Sequence, residues 1–388
     1  MAGYHLLSMQ TQTLGHYLLP NLRSIRWDIY PWDLVPFLRL FLNPGLVDVD
    51  IDFPRDGLHI YRPATISLIP TRGLTHLRLV SMKDDDESSM DTLHNLLDEA
   101  SETLRSVCLD GQQSMVVIEK LLQLPNLRCL DVRLPGTRIS PPAVVFPSLE
   151  KLVVHHSEDG SWLHILQNIP GLRELVATYS GSSPAYLQTL GSSLGTDMGQ
   201  TLTSLKCSSG KEAPLTESGL RPFLSFGRLT TLELATPCIG QRCGTQLNDS
   251  IISELAMALP GITSLTLGGI PCRTSTSDVT VTGLVALSTN CVDLDFLQLH
   301  FNAKDIASRG TRANAQTHRF TCKLRTLSVG SQPLPSNPDD VLLVTFAILH
   351  IFPHVKAISY TGGNWYRVRR GVQLFRDAPR IIPLPTTN

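Results

Sequence analysis

Residues 124–134 read LPNLRCLDVRL. Within them Leu127, Leu130 and Val132 are spaced i, i+3 and i+5, and a proline stands two residues before the first of the three. Side chains alternate between the two faces of a strand, so Leu130 and Val132 share one face and Asp131 lies on the other. Proline cannot sit inside a helix and biases its predecessor toward extended geometry. The segment therefore predicts a turn followed by a short, half-buried strand.

This apolar triplet recurs thirteen times, and its first residue, the first anchor, stands at positions 22, 46, 74, 104, 127, 149, 172, 202, 229, 262, 294, 324 and 355. A proline lies two residues before six of these anchors, at positions 20, 125, 147, 170, 260 and 353. The intervening segments often have helical periodicity, most clearly 91–104, 115–124 and 250–259, and we expect Asp249 or Ser250 to cap the last of these helices. One such unit cannot bury its apolar face alone, so stacked units are expected to form a continuous core.

Bulk composition agrees with a repeat array. The chain has 388 residues, 62 of them leucine, and a formal net charge of −1. No run reaches the roughly 18 apolar residues that a membrane span requires, and the N-terminus lacks the pattern of a signal peptide. The eight cysteines contain no CxxC pair, so we predict reduced, mostly buried thiols and a cytoplasmic or nuclear location.

The repeat resembles the leucine-rich-repeat superfamily over roughly residues 19–362, and it is most similar to the irregular repeats of F-box/LRR proteins, especially those of fungi. The usual Asn or Cys eight residues after the first anchor occurs once, as Asn302. The resemblance implies an α/β leucine-rich-repeat solenoid, with a curved parallel sheet on the concave side and helices and irregular segments on the convex side. We expect an N-terminal segment or cap over 1–21, about 13 repeats over 22–362, and a C-terminal cap and tail over 363–388, with a capping helix over 365–375.

F-box proteins of this type resemble a two-part adaptor. An N-terminal F-box docks on a Skp-type adaptor of an SCF ubiquitin ligase, and the repeats recognise the substrate. Residues 1–21 carry no Leu-Pro-x-Glu helix start, so we expect that the F-box was lost or lies in a longer gene product. A Skp-type adaptor is therefore an expected partner only if the full gene product contains an F-box. The alternative is a standalone repeat scaffold with no link to ubiquitin.

A serine hydrolase is a third and remote alternative, based on the GxSxG match at residues 191–195. A nucleophile elbow needs a strand before the serine and a helix after it. The segment before Ser193 (AYLQTL) has helical character instead. We therefore interpret 191–195 as a Gly/Ser return loop and predict a chain that is not an enzyme.

Metal-ligand patterns are equally weak. The DVDID segment at 48–52 has Phe53 where a calcium loop needs glycine, so its aspartates are interpreted as a solvated acidic patch. His155 and His156 point to opposite faces of a strand, and Cys238 and Cys243 lack a second ligand pair. We predict neither a metal nor a cofactor.

The predicted binding surface is the concave sheet face, lined by side chains two, four and six residues after each first anchor. We expect it to bind a protein substrate or partner. Its candidate residues are Arg26, Asp28, Asp48, Asp50, Asp52, His76, Arg78, Asp110, Asp131, Arg133, Lys151, His155, Glu174, Lys206, Phe296, Gln298 and His300.

The near-zero net charge hides a gradient along the chain. Residues 1–110 contain 9 Lys and Arg against 15 Asp and Glu, a charge of −6, whereas residues 303–388 contain 12 against 4, a charge of +8. The basic end includes a cluster of Arg367, Arg369 and Arg370, which is interpreted either as a solubilising cap or as a site for an acidic or phosphorylated partner. Nucleic acid is an unlikely partner because no aromatic-interleaved basic stripe is evident, and no membrane partner is expected.

Overall fold

A computed structural model describes residues 17–28, 35–53, 61–81, 87–134, 146, 148–156, 162–181, 185–209, 214–236, 245–269, 277–303, 321–329, 334, 337–360 and 364–377. The chain divides into two compact units, residues 1–177 and 178–388.

The first unit alternates short strands with helices. Its strands are β1 (Ser24–Asp28), β2 (Asp48–Asp52), β3 (His76–Val80), β4 (Ser106–Gln112), β5 (Cys129–Arg133), β6 (Lys151–His156) and β7 (Glu174–Tyr179), the last of which ends two residues inside the second unit. Its helices are α1 (Val35–Leu38), α2 (Tyr61–Ile66), α3 (Glu87–Glu99), α4 (Met115–Leu122) and α5 (Leu163–Leu166). The strands from β1 to β6 pair in parallel and in chain order, so that Ile25, Val49 and Leu77 stand in one row.

The second unit continues the pattern with longer helices. Its strands are β8 (Ser204–Ser209), β9 (Leu215–Thr216), β10 (Thr231–Ala235), β11 (Thr245–Gln246), β12 (Ser264–Leu267), β13 (Phe296–Leu299), β14 (Thr326–Val329) and β15 (Ala357–Tyr360). β9 and β11 form a separate parallel pair, and the other six follow in chain order. The helices are α6 (Tyr186–Met198), α7 (Glu217–Leu220), α8 (Asp249–Ala258), α9 (Val281–Asn290), α10 (Pro338–Ile351) and α11 (Trp365–Asp377), with a 3-10 turn at Arg221–Ser225.

The predicted repeat strands are confirmed. Within the described residues, thirteen parallel strands occur, and each begins two residues after a first anchor. The anchors are buried except for Leu22, Trp27 and Tyr360, which belong to the repeats of β1 and β15. These two strands have a neighbouring repeat strand on one side only, so their anchors are covered less completely. The fold is an α/β leucine-rich-repeat solenoid.

Many of the strands are entered through a tight turn. The N–H of Leu127 donates to the carbonyl of Leu124 at 3.4 Å, and Pro125 occupies the second position of that turn, where its fixed φ is favourable. Ile262 repeats this bond at 3.2 Å and Val355 at 3.1 Å, each beside a proline. The predicted role of these prolines is confirmed, apart from Pro147, which lies outside the described residues.

Within each unit, a shared carbonyl joins one repeat to the next. The carbonyl of Arg23, one residue after the first anchor, accepts from the N–H groups of Val47 at 2.8 Å and Asp48 at 3.1 Å. The equivalent carbonyls of residues 47, 75, 105, 128 and 150 in the first unit, and 203, 230, 263, 295 and 325 in the second, do the same. In the second unit the hydroxyls of Thr230 and Thr263 also donate to the preceding carbonyl, at 3.0 and 2.9 Å.

The capping prediction for α8 was wrong. The N-cap is Asn248, whose Oδ1 accepts from the N–H of Ile251 at 3.1 Å. Asp249 instead caps the next helix, because its Oδ1 accepts from the N–H groups of Thr280 at 2.7 Å and Gly283 at 3.0 Å. The carboxylate therefore stabilises the start of α9 and ties two successive repeats together.

The fold predicts a large loss of stability at one residue of β3 and almost none at its neighbour. Replacing the buried Leu77 by alanine leaves a cavity in the core, so Leu77→Ala is expected to lower the free energy of unfolding by about 3 kcal/mol. The matched control, His76→Ala, removes an exposed side chain and is expected to change it by less than about 0.5 kcal/mol. Chemical denaturation measures both, and similar losses would contradict the assigned orientation of the strand.

Candidate functional site

The candidate surface in the first unit is the polar face, which we define as the side chains of β1 to β6 that point away from the anchors. Burial alternates along β2, where Val49 and Ile51 are fully buried while the three aspartates remain partly exposed. The prediction that Asp48, Asp50 and Asp52 share one side of a strand is confirmed. The registers align this polar side across neighbouring strands, so one continuous row of side chains runs along the middle of the face.

The middle row begins with alternating charges. Arg78 Nη1 lies 3.0 Å from Asp50 Oδ1 and 3.1 Å from Asp50 Oδ2, while Arg26 Nε lies 3.5 Å from Asp50 Oδ2. Asp50 is thus held between two arginines from the neighbouring strands. Exposed ion pairs contribute only about 0–1 kcal/mol each to stability, so this arrangement chiefly fixes where the charged groups stand.

The row continues through a thiol. Cys108 Sγ donates to Asp131 Oδ2 at 3.4 Å, and Asp131 Oδ1 lies 3.5 Å from His155 Nε2. Burial, followed by the charge of Asp131, raises the pKa of Cys108 to about 12. The thiol therefore stays protonated at neutral pH and acts as a hydrogen-bond donor rather than as a nucleophile.

Two further pairs complete the paired part of the polar face. Arg133 Nη2 lies 3.3 Å from Asp110 Oδ1, and Lys151 Nζ lies 3.1 Å from Oε1 of Glu174, which stands on β7 beside the polar face. The remaining candidate on these strands, His76, is exposed and contacts Thr75 Oγ1 through Nδ1 at 2.7 Å.

Three carboxylates of the polar face, on β1 and β2, form no ion pair within the described residues. Asp48 accepts from Ser24 Oγ at 3.0 Å, and Asp52 from Ser81 Oγ at 3.5 Å. Burial raises the pKa of Asp52, and the negative charge of Asp28 raises it further. Within the described residues, no basic group forms an ion pair with Asp28, Asp48 or Asp52. These three carboxylates, which we call the acidic edge, flank the arginine-bound Asp50.

The candidates of the second unit have a different environment. Lys206 and Phe296 are half-buried, and Gln298 Nε2 donates to the carbonyl of Gly268 at 3.1 Å. His300 is only 1% exposed, and its Nε2 lies 2.9 Å from the carbonyl of Gly269. The sequence rule placed His300 on the open face, but the structure places its side chain in the interior, where a partner cannot reach it.

The weaker chemical motifs do not form sites in the described residues. Ser193 lies inside α6, not between a strand and a helix, so the segment interpreted as a return loop is helical up to the interruption at Gly195. His155 is half-buried and His156 is buried, which confirms that they point to opposite faces. Among the described residues, no group of three or more His, Cys, Asp or Glu side chains could hold a metal ion. Cys238 and Cys243 lie outside the described residues.

The basic cluster lies on α11, the helix predicted over 365–375. Arg367, Arg369 and Arg370 are all exposed. Residues on the polar face that sequence reasoning missed are Ser24 and Cys108. Both stand at positions where the same two-four-six rule applies, so the rule itself could have found them.

Comparisons with known proteins identify no family. No family model matches the chain, and no curated protein matches it. Among solved structures, an internalin from Listeria monocytogenes is similar, with a TM-score of 0.42 and 14% sequence identity over 84% of this chain and 83% of that chain. The leucine-rich-repeat fold is therefore assigned from the anchors, strands and registers of this chain. Within the described residues, no helix is both long and apolar enough to cross a membrane.

The interior position of His300 predicts a pH-dependent stability. Burial lowers the pKa of this histidine below the 6.5 of an unfolded chain, so the unfolded state binds a proton first as pH falls. The contribution of the buried, neutral His300 to the free energy of unfolding is therefore complete above pH 6.5. This contribution is lost as the pH falls from 6.5 toward the lowered pKa.

We expect His300→Gln, which retains a donor for Gly269, to reduce the fall in free energy of unfolding between pH 7.5 and pH 5.5. The difference in slope cannot exceed about 1.4 kcal/mol per pH unit. Chemical denaturation at the two pH values measures it. His76→Gln, at an exposed site, serves as the control, and an equal change in both variants would contradict the prediction.

Proposed function

We propose that this chain is a non-catalytic protein-binding repeat protein, and that the polar face of the first unit binds a segment carrying basic residues. The observation that supports this most directly is the acidic edge of Asp28, Asp48 and Asp52, whose carboxylates form no ion pair among the described residues. Opposite charges steer association and suppress wrong partners, whereas a like-charged partner is repelled.

The geometry suits an extended partner. Six neighbouring strands at about 4.8 Å span roughly 24 Å, which matches about seven residues of an extended chain. The pairs around Asp50 and Asp131 hold their charged groups in place before binding. Because these side chains are already ordered, the chain loses less conformational freedom when it binds a partner, and many modest contacts can add up to specific recognition.

On the resemblance of the repeats, we further propose that the bound segment belongs to a substrate of an SCF ubiquitin ligase. Binding on the polar face would then select the substrate, and a Skp-type adaptor would bind an F-box encoded elsewhere in the gene product. The alternative is a standalone scaffold. Co-purification of a Skp-type adaptor with the full gene product would support the ligase role, and capture of partners without any adaptor would support the scaffold.

The acidic edge can be tested without disturbing the paired charges. Asp28→Asn with Asp52→Asn removes two carboxylates but leaves both arginine contacts of Asp50 in place, whereas Asp50→Lys would set like charges beside Arg26 and Arg78. We expect the double variant to weaken partner binding about tenfold, with the larger effect at low salt, and to shift the melting temperature by no more than a few degrees.

The measurement is affinity capture by immobilised chain at two salt concentrations, followed by titration of the captured protein. The matched control is Asp91→Asn with Glu119→Gln, which removes two exposed carboxylates from α3 and α4. Equal loss of capture in both variants would show that net charge matters and the acidic edge does not.

A further inference from the structure

The last helix packs one side against the final repeats. Trp365, Val368 and Val372 on α11 are buried, and the Trp365 ring meets Phe301 edge-on with centroids 5.8 Å apart. Near the other end of the helix, Arg376 Nη1 donates to the carbonyl of Val355 at 3.3 Å. α11 therefore covers the core beside the last strand, as a capping element does.

The outward side of α11 carries exposed apolar side chains next to its arginines. A helix turns by about 100° per residue, which places Tyr366, Arg370 and Leu374 on one outward side, next to Arg367. Tyr366 is 48% exposed and Leu374 is 61% exposed. Large apolar side chains that are exposed beside each other mark a contact surface.

The apolar area continues onto α10. Leu342 and Phe346 are exposed one turn apart on that helix, and the rings of Phe346 and Phe375 lie 4.7 Å apart. We call the combined area the end surface, which consists of Leu342, Phe346, Tyr366, Leu374 and Phe375 together with Arg367, Arg369 and Arg370.

The arginines of the end surface lack the ion pairs that several other basic groups of the second unit form. Arg221 is paired with Glu254 at 2.7 Å, and Arg325 with Asp295 at 3.3 Å. Within the described part of the chain, by contrast, neither Arg369 nor Arg370 forms an ion pair, and Arg367 contacts only the hydroxyl and ring of Tyr366. The end surface thus combines exposed apolar groups with three guanidinium groups that lack a carboxylate.

We propose that the end surface is a second protein-docking site, which binds an acidic segment containing apolar residues. Guanidinium groups bind carboxylates through two parallel hydrogen bonds, and the exposed Leu and Phe side chains offer area for the apolar residues. Charge favours this partner over a basic one, since the described residues of the surface carry three positive charges and no negative charge.

A protein segment fits better than a membrane surface. Helices that lie on membranes need a free apolar face separate from the basic face. On α11 the apolar face is buried against the repeats, and on the outward side Arg370 stands between Tyr366 and Leu374. The arginines are interleaved with the apolar groups. This arrangement matches a protein segment in which acidic and apolar residues alternate.

The test uses a fluorescent peptide of sequence Glu-Glu-Leu-Phe-Glu-Glu and the full chain. We expect the peptide to bind, and Arg367→Gln with Arg370→Gln to weaken it about tenfold. Arg228→Gln with Lys356→Gln removes two exposed bases elsewhere in the second unit and is expected to change the affinity less than about twofold. A second variant, Leu374→Ser with Phe375→Ser, is expected to weaken binding while the melting temperature stays within a few degrees.

Three results would overturn the proposal. The first is no binding of the peptide at millimolar concentration. The second is that a peptide with glutamine in place of every glutamate binds as tightly as the acidic peptide, because charge would then play no part in binding. The third is binding of phosphatidylserine vesicles that both the Arg367/Arg370 and Leu374/Phe375 variants abolish while the peptide is unaffected, since that pattern would identify a lipid-binding surface.

Discussion

Within each unit the fold depends on one hydrogen-bonding arrangement, in which the carbonyl one residue after a first anchor accepts two successive N–H groups from the next repeat. This contact fixes where the next strand starts, and every repeat strand begins at the same offset from its anchor. Because side chains alternate along a strand, a fixed start also decides which side chains enter the core and which face outward. A slip of one residue would exchange the two sets, so the anchors and the shared carbonyl reinforce each other.

The same register determines the chemistry of the polar face. Parallel strands in register place equivalent positions side by side, so Arg26, Asp50 and Arg78 become neighbours although 24 and 28 residues separate them in sequence. Charges that alternate from repeat to repeat then neutralise each other, while charges that do not alternate accumulate. Asp28 and Asp52 of the acidic edge arise in this second way, because β1 and β2 both carry aspartate six residues after the anchor, and Asp48 adds a third carboxylate. The charge pattern of the polar face thus depends on how equivalent positions compare between successive repeats.

Sequence reasoning predicted the strands well because their determinants are local and repeated. The triplets, the prolines before them and the side-chain alternation located every repeat strand among the described residues and the outward side of β2. It failed where a long-range contact decides the outcome. Nothing near His300 indicates that its side chain is buried beside Gly269, and a local capping rule cannot show that Asp249 serves a helix 31 residues away. Predicting the ion pairs of the polar face requires the strand register. The sequence supplies that register only once the repeats are aligned.

The Asp249 carboxylate has a consequence for how the second unit unfolds. It belongs to α8, yet the backbone groups that it satisfies open α9, while Asn248 at the start of α8 donates to Glu217 at the start of α7. The starts of α7, α8 and α9 are thus joined by side-chain hydrogen bonds, and fraying of α8 would leave unsatisfied N–H groups at the start of α9. Repeat arrays are often treated as independent modules with nearest-neighbour coupling. Here that coupling includes polar side chains as well as the core, so the repeats carrying α7, α8 and α9 should open together, as a single cooperative unit.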